Sequence, residues 1–208
     1  MRFVAISDTH GQHQKLQLPA GDVLLHAGDV SRRGTAAEVA EFMQWMASQP
    51  YAHKIFIAGN HDFFFEKTDP EVIQQLIPPG VTYLSDSGTQ IADIPIWGSP
   101  ISPWFYDWAF NRHRGAAIAR HWALIPHQTQ VLITHGPVWG ILDATNSGHR
   151  ASCEELHKTI SRLSLKAHIC GHIHEGYGHV SQQGMQFFNA SVLNVQYQMV
   201  NPPLVFDL

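Results

Sequence analysis

The chain has 208 residues, 44% of them apolar and 14% charged, with a formal net charge of -4. That length and apolar content suit one hydrophobic core and a single domain over 1–208. The acidic balance excludes the basic face that carries binding to polymeric nucleic acid. Histidines number 15, against 13 Lys and Arg combined, and histidine is the commonest side-chain metal ligand.

The opening run, Met1-Arg2-Phe3-Val4-Ala5-Ile6-Ser7, reaches polar residues by Asp8 and leaves no room for a secretory leader. Cys153 and Cys170 are too few for a disulfide framework and read as two buried thiols in a reducing compartment. No apolar run approaches the ~20 residues of a membrane span. The expectation is a cytoplasmic protein with no membrane partner.

Unalternating apolar runs at 2–7, 23–27, 54–58, 130–134 and 167–170 predict strands buried on both faces. Between several of them, helical spacing covers 35–48, 70–77, 115–124 and 152–163. The last of these opens with Ser152 as a cap and Glu155 at its third helical position. Strand and helix alternate, so the class is α/β. Consecutive strand-like pieces at 81–84, 89–92 and 94–98, and again at 185–190 and 204–207, predict antiparallel pairing in a second sheet. Residues 99–112 are aromatic and proline-punctuated and read as a long ordered loop. It either packs onto the core or walls a substrate site.

Metal-competent residues fall at the strand ends. Asp8 and His10 follow the first strand, Asp29 the second, Asn60 and His61 the third, His135 a later one, and His172 and His174 the strand at 167–170. In open α/β sheets a site forms beyond the carboxyl ends of the strands, so these residues would converge. In extended backbone, residues i and i+2 point the same way, which would let Asp8 pair with His10 and His172 with His174. Gly11, Gly28, Gly59, Gly136 and Gly171 stand beside the candidates, where close backbone approach needs glycine. The mixture of carboxylate, imidazole and amide oxygen, without thiolate, suits Mn, Fe, Zn, Co or Ni rather than a structural zinc cage. The donor count exceeds one ion's needs and divides into two cations about 3.5–4 Å apart, with Asp29 able to bridge. The remaining histidines, including His13, His26 and His168, read as ordinary surface or core residues.

Asp8-Thr9-His10, Gly28-Asp29, Gly59-Asn60-His61-Asp62, Thr134-His135-Gly136 and Gly171-His172-Ile173-His174 together resemble the calcineurin-like metallophosphoesterase superfamily. Trp104-Phe105, Phe110-Asn111, His135-Gly136-Pro137, the run from His174 to Gly178, and Asn201-Pro202-Pro203 are similar to its small brain-type members, which in turn are similar to class III cyclic nucleotide phosphodiesterases. The resemblance implies a four-layer αββα sandwich, two mixed β-sheets flanked by helices. It implies one ion on Asp8, His10, Asp29 and His174 and another on Asp29, Asn60, His135 and His172, with Mn²⁺ favoured and Mg²⁺ also possible. His61 would be the catalytic histidine, and a hydroxide bridging the cations the nucleophile.

Two departures narrow the activity. The superfamily's protein phosphatases carry an acid three residues after the bridging aspartate, where this chain has Arg32. Some animal relatives of the brain type have Gly where this chain has His172, which removes a second-ion ligand. The expectation is therefore a phosphodiesterase acting on small phosphoesters, a nucleotide among the candidates. A phosphomonoesterase and a non-enzymatic interaction module on the same fold are the alternatives. The roles of Asp62, Glu175 and Tyr177 stay open at this level.

Overall fold

A computed structural model describes all residues from 1 to 208. In chain order the strands are β1 (Arg2–Ile6), β2 (Val23–Ala27), β3 (His53–Ile57), β4 (Val81–Tyr83), β5 (Ser87–Ile91), β6 (Ile94–Ser99), β7 (Ser102–Pro103), β8 (Asn111–Arg112), β9 (Val131–Thr134), β10 (Ala167–Cys170), β11 (Gly178–Gln182), β12 (Met185–Asn189) and β13 (Leu204–Asp207). The helices are α1 (Ala36–Ser48), α2 (Phe63–Lys67), α3 (Pro70–Leu76), α4 (Ala116–Trp122) and α5 (Glu154–Ile160).

Two large mixed sheets result, one ordered β13-β1-β2-β3-β4 and the other β11-β12-β10-β9-β6-β5. β1 to β4 run parallel, with β13 antiparallel at the edge. In the second sheet β6, β9, β10 and β12 run parallel, and β5 and β11 close the edges antiparallel.

The unalternating apolar runs resolve into two alternating sets. Phe3, Ala5, Val23, Leu25, Ile55, Ile57, Val131, Ile133, Ala167, Ile169 and Phe188 form one cluster drawn from both sheets. Their neighbours Val4, Ile6, Leu24, Phe56, Leu132 and Phe187 join the cluster that holds the apolar faces of α1, α4 and α5. With side chains pointing alternately to opposite faces, each sheet is covered by its partner on one side and by helices on the other. The four-layer expectation holds. Phe42 of α1 meets Phe56 of β3 edge-on at 5.3 Å, and Thr35 closes a capping box with Glu38 at the start of α1.

Several elements differ from the sequence reading. α5 begins at Glu154 and not at Ser152; Cys153 occupies the cap position without a side-chain cap bond. Ser152 is drawn away because its hydroxyl donates to Asp143. β11 and α2 were not expected. The 99–112 segment carries the short parallel pair β7 and β8, buries Ala109 and Phe110, and leaves Trp104, Phe105 and Tyr106 exposed. It therefore packs onto the core in part and projects three aromatic side chains to the surface. Both cysteines are free and buried. No helix is long and apolar enough to cross a membrane.

Candidate metal centre

The loops leaving β1, β2, β3, β9 and β10 meet at one end of the sandwich. Their backbone is not extended there: Asp8, His10, Asp29 and His172 all have positive φ, at 55°, 42°, 54° and 68°. Such left-handed turns are costly for residues other than glycine and concentrate at functional sites. The expected i, i+2 pairing is thus corrected. Asp8 and His10 come together through a tight turn, and His172 and His174 part company because His174 enters a 3-10 turn at His174–Gly176. His174 joins Asp8 and His10, their ligand atoms lying within 4.8 Å of one another. The His172 ring instead packs against His135, with centroids 4.9 Å apart.

Asp29 lies between the groups. Its Oδ2 is 3.6 Å from His10 Nε2 and 3.4 Å from His135 Nε2. His174 Nε2 lies 3.6 Å from Asp8 Oδ1, and Asn60 Oδ1 lies 2.8 Å from His135 Nε2. Nε2 faces the centre because Nδ1 is held elsewhere: His135 Nδ1 by Ala27 O at 2.9 Å, His174 Nδ1 by Asn194 O and His61 Nδ1 by Arg32 O, both at 3.0 Å. A carbonyl only accepts, so each Nδ1 carries its proton; His135 and His174 thereby present Nε2 as the candidate metal-facing nitrogen, and His61 turns its Nε2 to the cavity.

Charge fits a cation pair. Asp8 and Asp29 are buried, which by itself raises a carboxyl pKa, but His174 beside Asp8 and His135 beside Asp29 hold both well below the usual range. Burial opposes charge on His135 and His174 as well; the same carboxylates overrule it and raise each to about 9. Burial lowers His10 and His172 to about 4. Both ring nitrogens of His10 are buried without a hydrogen-bond partner, an arrangement that is expensive unless something binds them. No Lys or Arg lines the cavity to offset the carboxylates. Orphaned imidazole nitrogens beside two ionised, buried carboxylates fit divalent cations.

Supporting residues lock these loops. Gly59 and Gly171 admit no side chain: a Cβ on Gly59 would strike Asp29, and one on Gly171 would strike Ser7 and Asp8. Gly136 has ordinary clearance, so its place beside His135 has no such cause. Asp62 sits at the cap of α2 without capping it. Its carboxylate accepts from the backbone N–H of Val30, Ser31 and Gly59 and from the Ser31 hydroxyl, at 2.5–3.1 Å. It ties the Asp29 loop to the Asn60 loop; burial, then the charge of Asp29, raises its pKa to about 6. Two histidines set aside in the sequence also matter. His26 Nδ1 accepts from Gly28 N, so its Nε2 donates to Thr9 Oγ1 at 3.0 Å. His168 Nε2 donates to Thr134 Oγ1 at 2.8 Å. In each sheet a buried histidine thus steadies the threonine just before a candidate ligand, His10 or His135.

A cavity of about 340 Å³ opens over the cluster, lined by His10, Asp29, Asn60, His61, His172 and His174, with Phe105, Trp108, Glu175, Val195 and Tyr197 around them. Asp8 and His135 lie beneath its floor, fully buried. All eight expected site residues are therefore gathered. His61 stands as near as the ligand candidates do, its ring grouped within 4.8 Å of His10 and Asp29 donor atoms. Trp108 lies against His61 at 4.3 Å, and Tyr197 against His10 at 4.9 Å. Sequence reasoning missed Tyr197 and Val195, whose loop carries no motif. Glu175 is engaged by Asn146 N, and the Tyr177 hydroxyl turns away to donate to Pro202 O.

A two-sheet sandwich with imidazoles and carboxylates converging at its strand ends defines the metallophosphoesterase class. A profile of the calcineurin-like phosphoesterases matches residues 1–176. Metallophosphoesterase domain-containing protein 1 of Homo sapiens is 42% identical over 230 aligned positions, covering 100% of this chain and 71% of its own length. A UPF0046 protein of Caenorhabditis elegans, K07C11.7, is 35% identical over 99% of this chain and 74% of its own. Among solved structures, phosphopantetheinyl hydrolase of Mycobacterium tuberculosis superposes with a TM-score of 0.64 at 16% identity, covering 94% of this chain and 90% of that one, which speaks to the fold. The chain belongs to the calcineurin-like phosphoesterase family.

Proposed function

We propose that this protein is a dinuclear metal-dependent phosphodiesterase, a single domain over 1–208 that hydrolyses small phosphodiesters, nucleotides among them, in the cytoplasm. One observation carries the reading: Asp29 Oδ2 stands between His10 Nε2 and His135 Nε2, the place of a carboxylate shared by two cations. Asp8, His10, Asp29 and His174 would hold one ion, and Asp29, Asn60, His135 and His172 the other, Mn²⁺ being the favoured metal. Bound there, the cations would lower the pKa of a coordinated water and offset charge on the phosphoryl oxygens.

The chain's own residues do the rest. His61 keeps its Nδ1 proton on Arg32 O, which leaves Nε2 directed at the cavity. From there it would donate to the leaving oxygen or to the charge growing on the phosphoryl group. Trp108 and Phe105 wall the cavity and offer flat faces to an aromatic leaving group. The absence of Lys and Arg from the lining favours a singly charged diester over a dianionic monoester. Arg112 is spent on Glu66 and Arg114 on Ser152 O.

The test is hydrolysis of bis-p-nitrophenyl phosphate after chelation and Mn²⁺ re-addition, beside mono-p-nitrophenyl phosphate. Activity that returns with metal, prefers the diester and disappears in Asp29→Ala and His61→Ala supports the reading. A protein holding two metals and inactive on both esters revives the non-enzymatic module.

A further inference from the structure

Beyond the cavity, a shallow groove of about 390 Å³ runs past Arg33, Gly34, Phe63, Phe64, Lys67 and Thr68. A row of tilted rings connects it to the candidate site. Trp108 lies 4.3 Å from His61 at 32°, Phe63 lies 6.0 Å from Trp108 at 33°, and Lys67 Nζ stands 4.8 Å over the Phe63 ring. The aromatic ledge thus leads from the reacting end to a pair of cations.

Those cations are free in a chain that has few. The Arg and Lys ion pairs of the molecule are Arg2–Asp207, Arg112–Glu66 and Arg150–Asp143; Arg33 and Lys67 take part in none. Glu66 and Glu38, close to them in the chain, are hydrogen-bonded to other groups. Glu66 accepts from Arg112 Nη1 and from Phe110 N. Glu38 accepts from Thr35 and from the backbone N–H of Arg32 and Arg33. The groove therefore presents two cations without a carboxylate partner beside an apolar floor, whereas the cavity itself is lined by neither Lys nor Arg.

We propose that Arg33 and Lys67 form an anion subsite for the far end of the substrate, so that the preferred ligand is a phosphoester with a flat group next to phosphorus and a second anionic group beyond it. The proposal rests on the phosphodiesterase reading above. The ring ledge takes the flat portion by stacking, and the two cations take the terminal anion by charge-assisted hydrogen bonds. Such a ligand spans the site and the groove in one extended pose.

Two non-hydrolysable probes test it: biphenyl monosulfonate, a tetrahedral monoanion on a flat rod, and biphenyl disulfonate, the same rod with an anion at each end. Calorimetric titration of the Mn²⁺-loaded protein should show the disulfonate binding about tenfold tighter. In the Arg33→Gln/Lys67→Gln variant the ratio of the two affinities should fall to about one, and in Arg33→Glu/Lys67→Glu it should invert. Equal binding of the two probes by the unmodified protein, or a disulfonate advantage that survives both double variants, overturns the subsite. Failure of the phosphodiesterase reading shows separately, as absent turnover of bis-p-nitrophenyl phosphate.

Discussion

Asp29 approaches His135 to 3.4 Å with the same carboxylate oxygen that it offers to His10 at 3.6 Å. That oxygen links a histidine carried by the first sheet to one carried by the second. Asp29→Asn is therefore expected to remove more than one metal equivalent per chain, read by inductively coupled plasma analysis after gel filtration. Its loss in kcat/KM should exceed the roughly 10- to 100-fold produced by removing a supporting residue. Two metals retained in the variant would show that the oxygen bridges nothing.

His61 lies close enough to His10 and Asp29 donor atoms to be a ligand itself, yet its ring also faces Trp108 in the open cavity. As the proton donor, it predicts that His61→Ala lowers kcat by about 10²- to 10⁴-fold with metal content unchanged. A fall in stoichiometry parallel to the fall in kcat would reassign it to the metal set.

Asp62 never reaches the cavity but collects N–H donors from two loops. Asp62→Asn keeps its size and turns an acceptor into a donor facing other donors. It should lower unfolding free energy by about 1–3 kcal/mol and weaken metal affinity as well, because both Asp29 and Asn60 lose their tether. Urea denaturation beside a metal titration reads the two effects. Lower stability with intact affinity would limit Asp62 to holding the fold.

His168 gives the protein an acid-side weakness. Burial lowers its pKa from 6.5 to about 3, so between those values the unfolded chain binds a proton that the folded chain refuses. Stability then falls as pH drops through 6.5, by about 1.4 kcal/mol per pH unit for one such group. His168→Gln, which can still donate to Thr134, should flatten the difference between denaturation midpoints at pH 7 and pH 5. An unchanged slope would place the acid sensitivity elsewhere.

The strand ends were legible because runs such as 23–27 and 167–170 are buried on both faces and each terminates in a residue chemically out of keeping with it. The eight site residues followed from that change of character together with the motif blocks. The local geometry was not legible. Composition does not announce that Asp8, His10, Asp29 and His172 adopt positive φ, since nothing but the surrounding loops enforces it. Tyr197, also at positive φ, reaches His10 and His174 from a segment with no distinguishing pattern. His26 and His168 looked ordinary because their partners lie far off in the chain, Thr9 in the loop after β1 and Thr134 at the end of β9.

The two sheets touch polar-to-polar at this end as well as through their greasy faces. His172 N and the Ser191 hydroxyl, both from the second half of the chain, donate to Asp8, and His135 reaches across to Ala27 O. The cluster of candidate ligands is thus the clasp on a closed book whose pages are the two sheets. Anything that prises the covers apart at that edge would separate Asp8 and Asp29 from His135 and His172. Catalysis would then report on the closure of the sandwich, and its disappearance would precede any gross loss of secondary structure.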